Sequence, residues 1–185
     1  MGFSPRLHTE RTRIRLAGEA DAPALLRYRV ANRAHLAPWE PLREEAFYTL
    51  EHCVQAIAEG REHARLDRGY PLLVFDPGET EILASFTLAN VVRGAFQACH
   101  LGYGAAARAQ GQGLMHEALQ AGLAWAFGEL DLHRVMANHL PRNERSARLL
   151  ARLGFEREGY AKGYLQIAGV WEDHVLTALV RPEAP

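Results

Sequence analysis

Between Tyr70 and Gly104 three apolar runs follow one another with nothing but turns between them, and this constrains the fold more than any other feature. "YPLLVF" (70–75), "ILASFTLANVV" (82–92) and "FQACHLGYG" (96–104) have the composition of strands. "DPGE" (76–79) supplies the Pro and Gly of a turn, and "VRGAF" (92–96) suggests a hairpin. Links this short join antiparallel neighbours, so the middle of the chain is a meander that needs covering on its faces. The flanking segments supply the cover. "RTRIRLA" (11–17) alternates as a half-exposed strand does. Asp21, with Pro23 behind it, caps a helix running to about Ala34. A loop, "HLAPWEPLR" (35–43), follows, then a helical pattern from about Arg43 to Arg68. Beyond the meander, Met115, Leu119, Gly122, Leu123 and Phe127 line one helix face. "RVMANHL" (134–140) is a strand, Glu144–Leu153 a helix ended by Gly154, and "YLQIAGVWEDHVLTALV" (164–180) a closing hairpin around Ala168-Gly169. The expectation is one α/β domain over residues 1–185, a mixed, mostly antiparallel sheet of about seven strands flanked by helices.

Composition bounds the partners. The 185 residues carry a formal net charge of -1, with 48% hydrophobic and 23% charged. No basic field points to nucleic acid or an anionic membrane. The N-terminal "MGFSPRLHTE" has no apolar export segment, so a cytoplasmic location is expected. Cys53 and Cys99 lie far apart and fit buried thiols, and the nine histidines show no ligand spacing, so no metal is expected.

The stretch "GYGAAARAQGQGLMHEAL" (102–119) is the chemical centre of the sequence. Gly102–Ala107 fits G-x-G-x-x-A on paper, but a dinucleotide fingerprint needs a helix at once and a βαβ unit around it. Here the helix waits until after Gly113. A plain flexible connector is a second reading. The third is a pyrophosphate cradle: the N-terminus of a helix exposes unpaired N–H groups and partial positive charge, and Gly111 and Gly113 let a phosphate approach the backbone. Arg108 adds a formal charge at the mouth.

Arg108-Ala109-Gln110-Gly111-Gln112-Gly113 resembles the Q/R-x-x-G-x-G/A signature of the GNAT acetyltransferases. "NERSARLLARLGFEREGYAKGYL" (143–165), "LAPWEP" (36–41) and "WEDHVLTAL" (171–179) resemble the RimJ/RimL branch, the ribosomal-protein N-terminal acetyltransferases, and the RimJ type above all. The resemblance covers nearly the whole chain. It implies the GNAT fold and acetyl-CoA as cosubstrate. Leu101, Gly102 and Tyr103 of the preceding strand, the loop residues Arg108, Gln110, Gly111, Gln112, Gly113, Leu114 and Met115, and Asn143 would then bind the coenzyme. It implies direct acetyl transfer in a ternary complex, with no acetyl-enzyme. Ser146, where the RimL-type pattern has the serine that protonates the departing thiolate, is the catalytic candidate. Asn143 and Ser146 also read simply, as a helix N-cap and as a hydroxyl bonded back to its own helix.

The glutamate that RimL-like sequences carry after "EG" falls here at Leu165. The general base therefore stays open among Glu117, His139, Asp173 and His174. Trp39, Glu40, Tyr164, Trp171 and Asp173 are the candidates for acceptor recognition. The leading acceptor is a protein N-terminus, an alanine of a ribosomal protein. A small amine such as an antibiotic or polyamine, and a non-catalytic acyl-CoA sensor, are the rivals. Relatives of the branch are often dimers, which leaves a homodimer as one option, but the sequence does not fix the oligomer.

Overall fold

A computed structural model describes residues 5–182. Eight strands form one sheet in the order β1-β2-β3-β4-β5-β6-β8-β7. They are β1 (Arg6–His8), β2 (Arg13–Leu16), β3 (Gly69–Phe75), β4 (Ile82–Val92), β5 (Ala98–Ala105), β6 (Arg134–Met136), β7 (Glu156–Ile167) and β8 (Val170–Val180). Every neighbouring pair is antiparallel except β5–β6. The meander stands as expected. The strand missing from the sequence reading is β1: three residues are too few to show a period, and the sheet-edge pairing with β2 makes them a strand.

Four α-helices cover the two faces: α1 (Ala22–Leu36), α2 (Leu50–Arg65), α3 (Leu114–Gly128) and α4 (Glu144–Arg152). Alternation along the strands divides the core. Leu72, Val74, Phe86, Leu88, Cys99 and Val135 face α3 and α4, with Leu119, Leu123 and Leu150. Leu73 and Phe75 face α1 and α2, with Leu25, Tyr28, Cys53 and Ile57. Both thiols are buried and unpaired, as expected.

The closing hairpin is longer than expected, since β7 starts at Glu156 and not at Tyr164. Three further boundaries differ from the expectation for local reasons. The helical pattern from Arg43 is not one helix. A short 3-10 turn at Glu45–Tyr48 ends at Thr49, which is extended (φ -111°, ψ 155°) and accepts from the His52 N–H as the cap of α2. Asp21 precedes α1, but its carboxylate goes to the Arg15 guanidinium and the Gly18 N–H rather than to the helix. The strand expected over 134–140 stops at Met136, and this early stop makes the site.

Candidate active site

The parallel ladder between β5 and β6 has three rungs, the last at His100–Met136. Beyond it the strands follow different partners. β5 continues along β4 to the Ala84–Ala105 pair. The chain after β6 turns to β8 instead, with Ala137 N–H on Thr177 O (2.9 Å) and His139 N–H on Val175 O (3.1 Å). A wedge therefore opens between Leu101–Ala105 and Ala137–His139. The Gln97 carbonyl accepts from His133 and Arg134 on the β6 side, and the Ala106 N–H bonds Leu83 on the β4 side. By alternation the backbone groups of Leu101 and Tyr103 point into the wedge.

At one end of the wedge lies the glycine loop. Gly111 (φ 74°) and Gly113 (φ 76°) both occupy the left-handed region, which a side chain disfavours. A Cβ on Gly111 would meet nothing within 4 Å, and one on Gly113 only Arg11 Nη2 at 3.7 Å. The backbone there lies open to an incoming group. Gly113 caps α3 and has no side chain to occupy the first-turn N–H groups of Leu114 and Met115. The side chains of those two residues are spent in the core, so only their backbone is available.

The loop is held by side chains from elsewhere. Arg11 donates from Nη1 to Gln112 O (2.9 Å) and pairs with Glu117 in the first turn of α3. Asn32 accepts from the Ala107 N–H (2.9 Å). Gln110 bridges His35 (2.9 Å) and Arg145 (2.5 Å), and Gln112 donates to Arg108 O (2.7 Å). The two glutamines thus hold the loop in shape. Arg108 pairs with Glu81 at 2.6 Å across exposed surface, a contact worth about 0.2–1 kcal/mol and cheaply exchanged for an anion. Nothing in the sequence singles out Arg11 or Asn32, because they lie 75–106 positions upstream of their partners.

At the centre of the wedge stands a hydroxyl pair. Asn143 caps α4 through its side chain on the Ser146 N–H (3.1 Å), the capping role the sequence suggested. The Ser146 hydroxyl does not turn back on its helix. It meets the Tyr103 hydroxyl at 2.6 Å. Burial pushes the Tyr103 phenol up to about 12, so it keeps its proton through the neutral range.

The opposite face of the wedge belongs to α1 and its loop. Leu36, Glu40 and Tyr28 stand 3.6, 3.9 and 4.0 Å from the Cβ position of Gly104, and the Tyr28 hydroxyl donates to Gly104 O (3.2 Å). Met136, Asn138 and His174 share this face by the β6–β8 register. Asn138 donates to the Tyr164 hydroxyl (3.1 Å), whose ring lies 5.4 Å from that of His174. His174 is buried and its Nδ1 donates to Glu172 O (3.1 Å), which leaves Nε2 as the acceptor nitrogen. Two links fence this face: Ala168 N–H donates to Glu40 O (2.9 Å), and Arg142 joins Glu172 (2.8 Å) while its guanidinium carbon lies 5.8 Å from the Trp39 ring centre.

The other acceptor and base candidates sit elsewhere. Trp171 is 66% exposed, and with Asp173 it lies on the face of β8 opposite His174. The Asp173 carboxylate accepts from the Gly163 N–H (2.8 Å) and the Tyr160 hydroxyl (2.7 Å), and both hold it below the usual range. The two share a face of β8, as alternation predicts, and that face is the one away from Gly104 and Glu40. Burial would raise the Glu117 carboxyl, yet hydrogen bonds from Thr9 and Arg11 bring it below its ordinary value, and it stands outside the wedge beside Arg11. His139 lies on the Val175 face with Nδ1 on Leu140 O. Among the sequence candidates for the base, His174 alone combines the face of Gly104 and Glu40 with a ring nitrogen that has no partner among the described residues.

Residues 11–156 match the family model described as "Acetyltransferase (GNAT) domain". The chain belongs to the GNAT acetyltransferases. It is 46% identical over 183 residues to the [ribosomal protein uS5]-alanine N-acetyltransferase of Escherichia coli (strain K12), covering 96% of this chain and 92% of that one. Among solved structures it resembles the ribosomal-protein-S5-alanine acetyltransferase of Vibrio fischeri (TM-score 0.91, 40% identity, 95% and 96% of the two chains). It also resembles Mycobacterium smegmatis RimJ in complex with CoA-disulfide (TM-score 0.86, 32% identity, 91% and 81%). The fold, the transferase class and the acetyl-CoA cosubstrate expected from the sequence stand.

Proposed function

We propose that the chain acetylates the N-terminal α-amine of a protein, with an alanine of a ribosomal protein as the leading acceptor. The observation that carries this reading is the Ala168–Glu40 backbone link beside Gly104. It ties the β7–β8 turn to the loop after α1 and fences the acceptor face, which favours a chain end over a side chain on a folded surface. The similarity to alanine N-acetyltransferases supports the same acceptor.

In this reading the first-turn N–H groups of α3, with Gly111 and Gly113, hold the coenzyme diphosphate, and Arg108 supplies charge. The open backbone of Leu101 and Tyr103 donates to the thioester oxygen where charge develops. Glu40 draws in the cationic amine. His174 takes the amine proton through Nε2, with Tyr164 and Asn138 fixing its surroundings. Ser146 gives a proton to the leaving thiolate, and the Tyr103 phenol donates to the serine oxygen to orient it.

A strong base is unnecessary for this acceptor. An α-amine of pKa about 8 is roughly one-tenth neutral at pH 7, whereas a lysine near 10.4 is neutral in well under about one part in a thousand. The test is a panel of N-terminal peptides, their N-acetylated lysine-bearing counterparts, aminoglycosides and polyamines, read by thiol release. A free N-terminal alanine should react fastest. Equal rates for the lysine peptide, or turnover of small amines alone, would overturn the reading. Thiol release from none of them would favour the sensor.

A further inference from the structure

The acceptor face carries a cavity of about 270 Å³ under α1 and α2, lined by Tyr28, Arg29, Glu40, Arg61, Ser85 and Thr87 among others. Tyr28 and Glu40 also flank Gly104, so the cavity is continuous with the acceptor side of the wedge. Four arginines reach its wall against one glutamate. Two have a carboxylate within reach: Arg33 pairs with Glu45, and Arg43 lies 3.7 Å from Glu40. Arg29 and Arg61 have no carboxylate partner among the described residues.

Arg29 is the informative one. Its guanidinium is partly buried, with its central carbon 3.9 Å from the Phe47 ring centre. Nη1 makes every hydrogen bond it has: to Phe47 O (3.0 Å), His52 Nδ1 (3.1 Å) and Cys53 Sγ (3.5 Å). Nε and Nη2 have no partner among the described residues. Neither is sealed from solvent, since among the described residues the fully buried unpartnered side-chain atoms are Gln97 Oε1 and His100 Nδ1. Desolvation lowers its pKa, the mark of a cation short of compensation. A half-buried fork at the wall of a cavity, fixed through one nitrogen and with Nε and Nη2 unpartnered among the described residues, matches a carboxylate in bidentate geometry.

We infer that this cavity is a subsite for an acidic side chain of the acceptor, at the second, third or fourth residue of the peptide whose N-terminal amine meets Glu40. The inference rests on the N-terminal reading above. Glu40 and Arg29 then act as a pair of opposite sign along one entering chain: the carboxylate attracts the terminal ammonium and the guanidinium takes the acid behind it. A peptide with the reverse order of charges is opposed at both points.

The test uses alanine-led peptides with Glu or Gln at position two, three or four, and reads KM with the wild type, Arg29→Met and Arg29→Lys. At one position Glu should lower KM about tenfold relative to Gln. In Arg29→Met the Glu/Gln ratio should collapse to about one, whatever happens to the absolute values. Arg29→Lys should keep part of it, since charge survives and the fork does not. Acetyl-CoA affinity reports whether each variant is folded. Should Arg29→Met fail that check, Arg61→Gln gives the same readout, and a reduced ratio is expected. If Gln and Glu peptides react with equal KM at all three positions, or the preference persists in both variants, the subsite is refuted while the N-terminal reading stands. If no peptide is acetylated, both fall.

Discussion

The two sides of the wedge are built from different material. On the side assigned here to the coenzyme the proposed binding groups are backbone: N–H groups of β5 and of the start of α3, the latter left open by Gly111 and Gly113. On the side proposed for the acceptor they are side chains, brought by α1, the loop after it, β7 and β8: Tyr28, Glu40, Tyr164 and His174. The first surface suits a ligand that never changes. The second can be altered one residue at a time without disturbing the first, and so is where acceptor choice belongs.

That division predicts that damage on one side leaves the other intact, and the largest expected effect sits on the seam. Ser146→Ala should lower kcat roughly 10–100-fold with acetyl-CoA affinity within about threefold of wild type, because the lost interaction belongs to the transition state. Tyr103→Phe should cost less than Ser146→Ala. The reverse order in single-turnover rates would make the phenol the acid and the serine its support.

On the coenzyme side, Gly113→Leu should raise the acetyl-CoA dissociation constant about 10–50-fold. A side chain at φ 76° costs about 1–2 kcal/mol by itself, and the branched group blocks the approach of the diphosphate. Arg108→Ala should raise it only about three- to tenfold, since the charged contact is partly offset by the surrendered Glu81 pair. Calorimetric titration measures both. The peptide KM extrapolated to saturating acetyl-CoA should stay put, and a parallel loss there would break the division.

On the acceptor side, Glu40→Gln should raise peptide KM about three- to tenfold with coenzyme affinity unchanged. His174→Gln should lower kcat/KM most below pH 8 and least above it, where the amine is already neutral. A uniform loss across pH would make His174 a packing residue.

The smallest expected effect is at high pH. The wild-type rate should rise through the amine pKa near 8 and then stay level to about pH 10. Burial raises the Tyr103 pKa to about 12, so the phenol loses its proton only above that range, and no descending limb arises from it. A fall between pH 8 and 10 would show that a different acid operates.

Legibility in the sequence follows the same division between local and long-range contacts. The glycine loop, the Asn143 cap and the order of elements from β2 onward were legible because each is local: a turn, a cap or a period lies within a few residues of itself. Ser146 was legible as an inward residue of α4. Its partner Tyr103 was not, because 43 positions separate them and only the packing of α4 over β5 closes the 2.6 Å gap.

The wedge itself was decided by tertiary structure alone. "RVMANHL" reads as one continuous strand, and nothing in it marks Met136 as the end of pairing with β5. The break occurs because the antiparallel ladder to β8 offers Ala137 and His139 better partners than a parallel continuation along β5 would. Likewise the alternation rule put Trp171 and Asp173 on one face but had no means of saying which face meets the acceptor, since strand period fixes relative and not absolute orientation. Arg29 carried no sequence signal at all: among 20 arginines, only its burial beside Phe47 and the absence of a carboxylate set it apart. The sequence by itself determined the elements and the backbone cradle, since those follow from local stereochemistry. The faces, the hydroxyl pair and the charged cavity came from long-range packing, which no local pattern encodes.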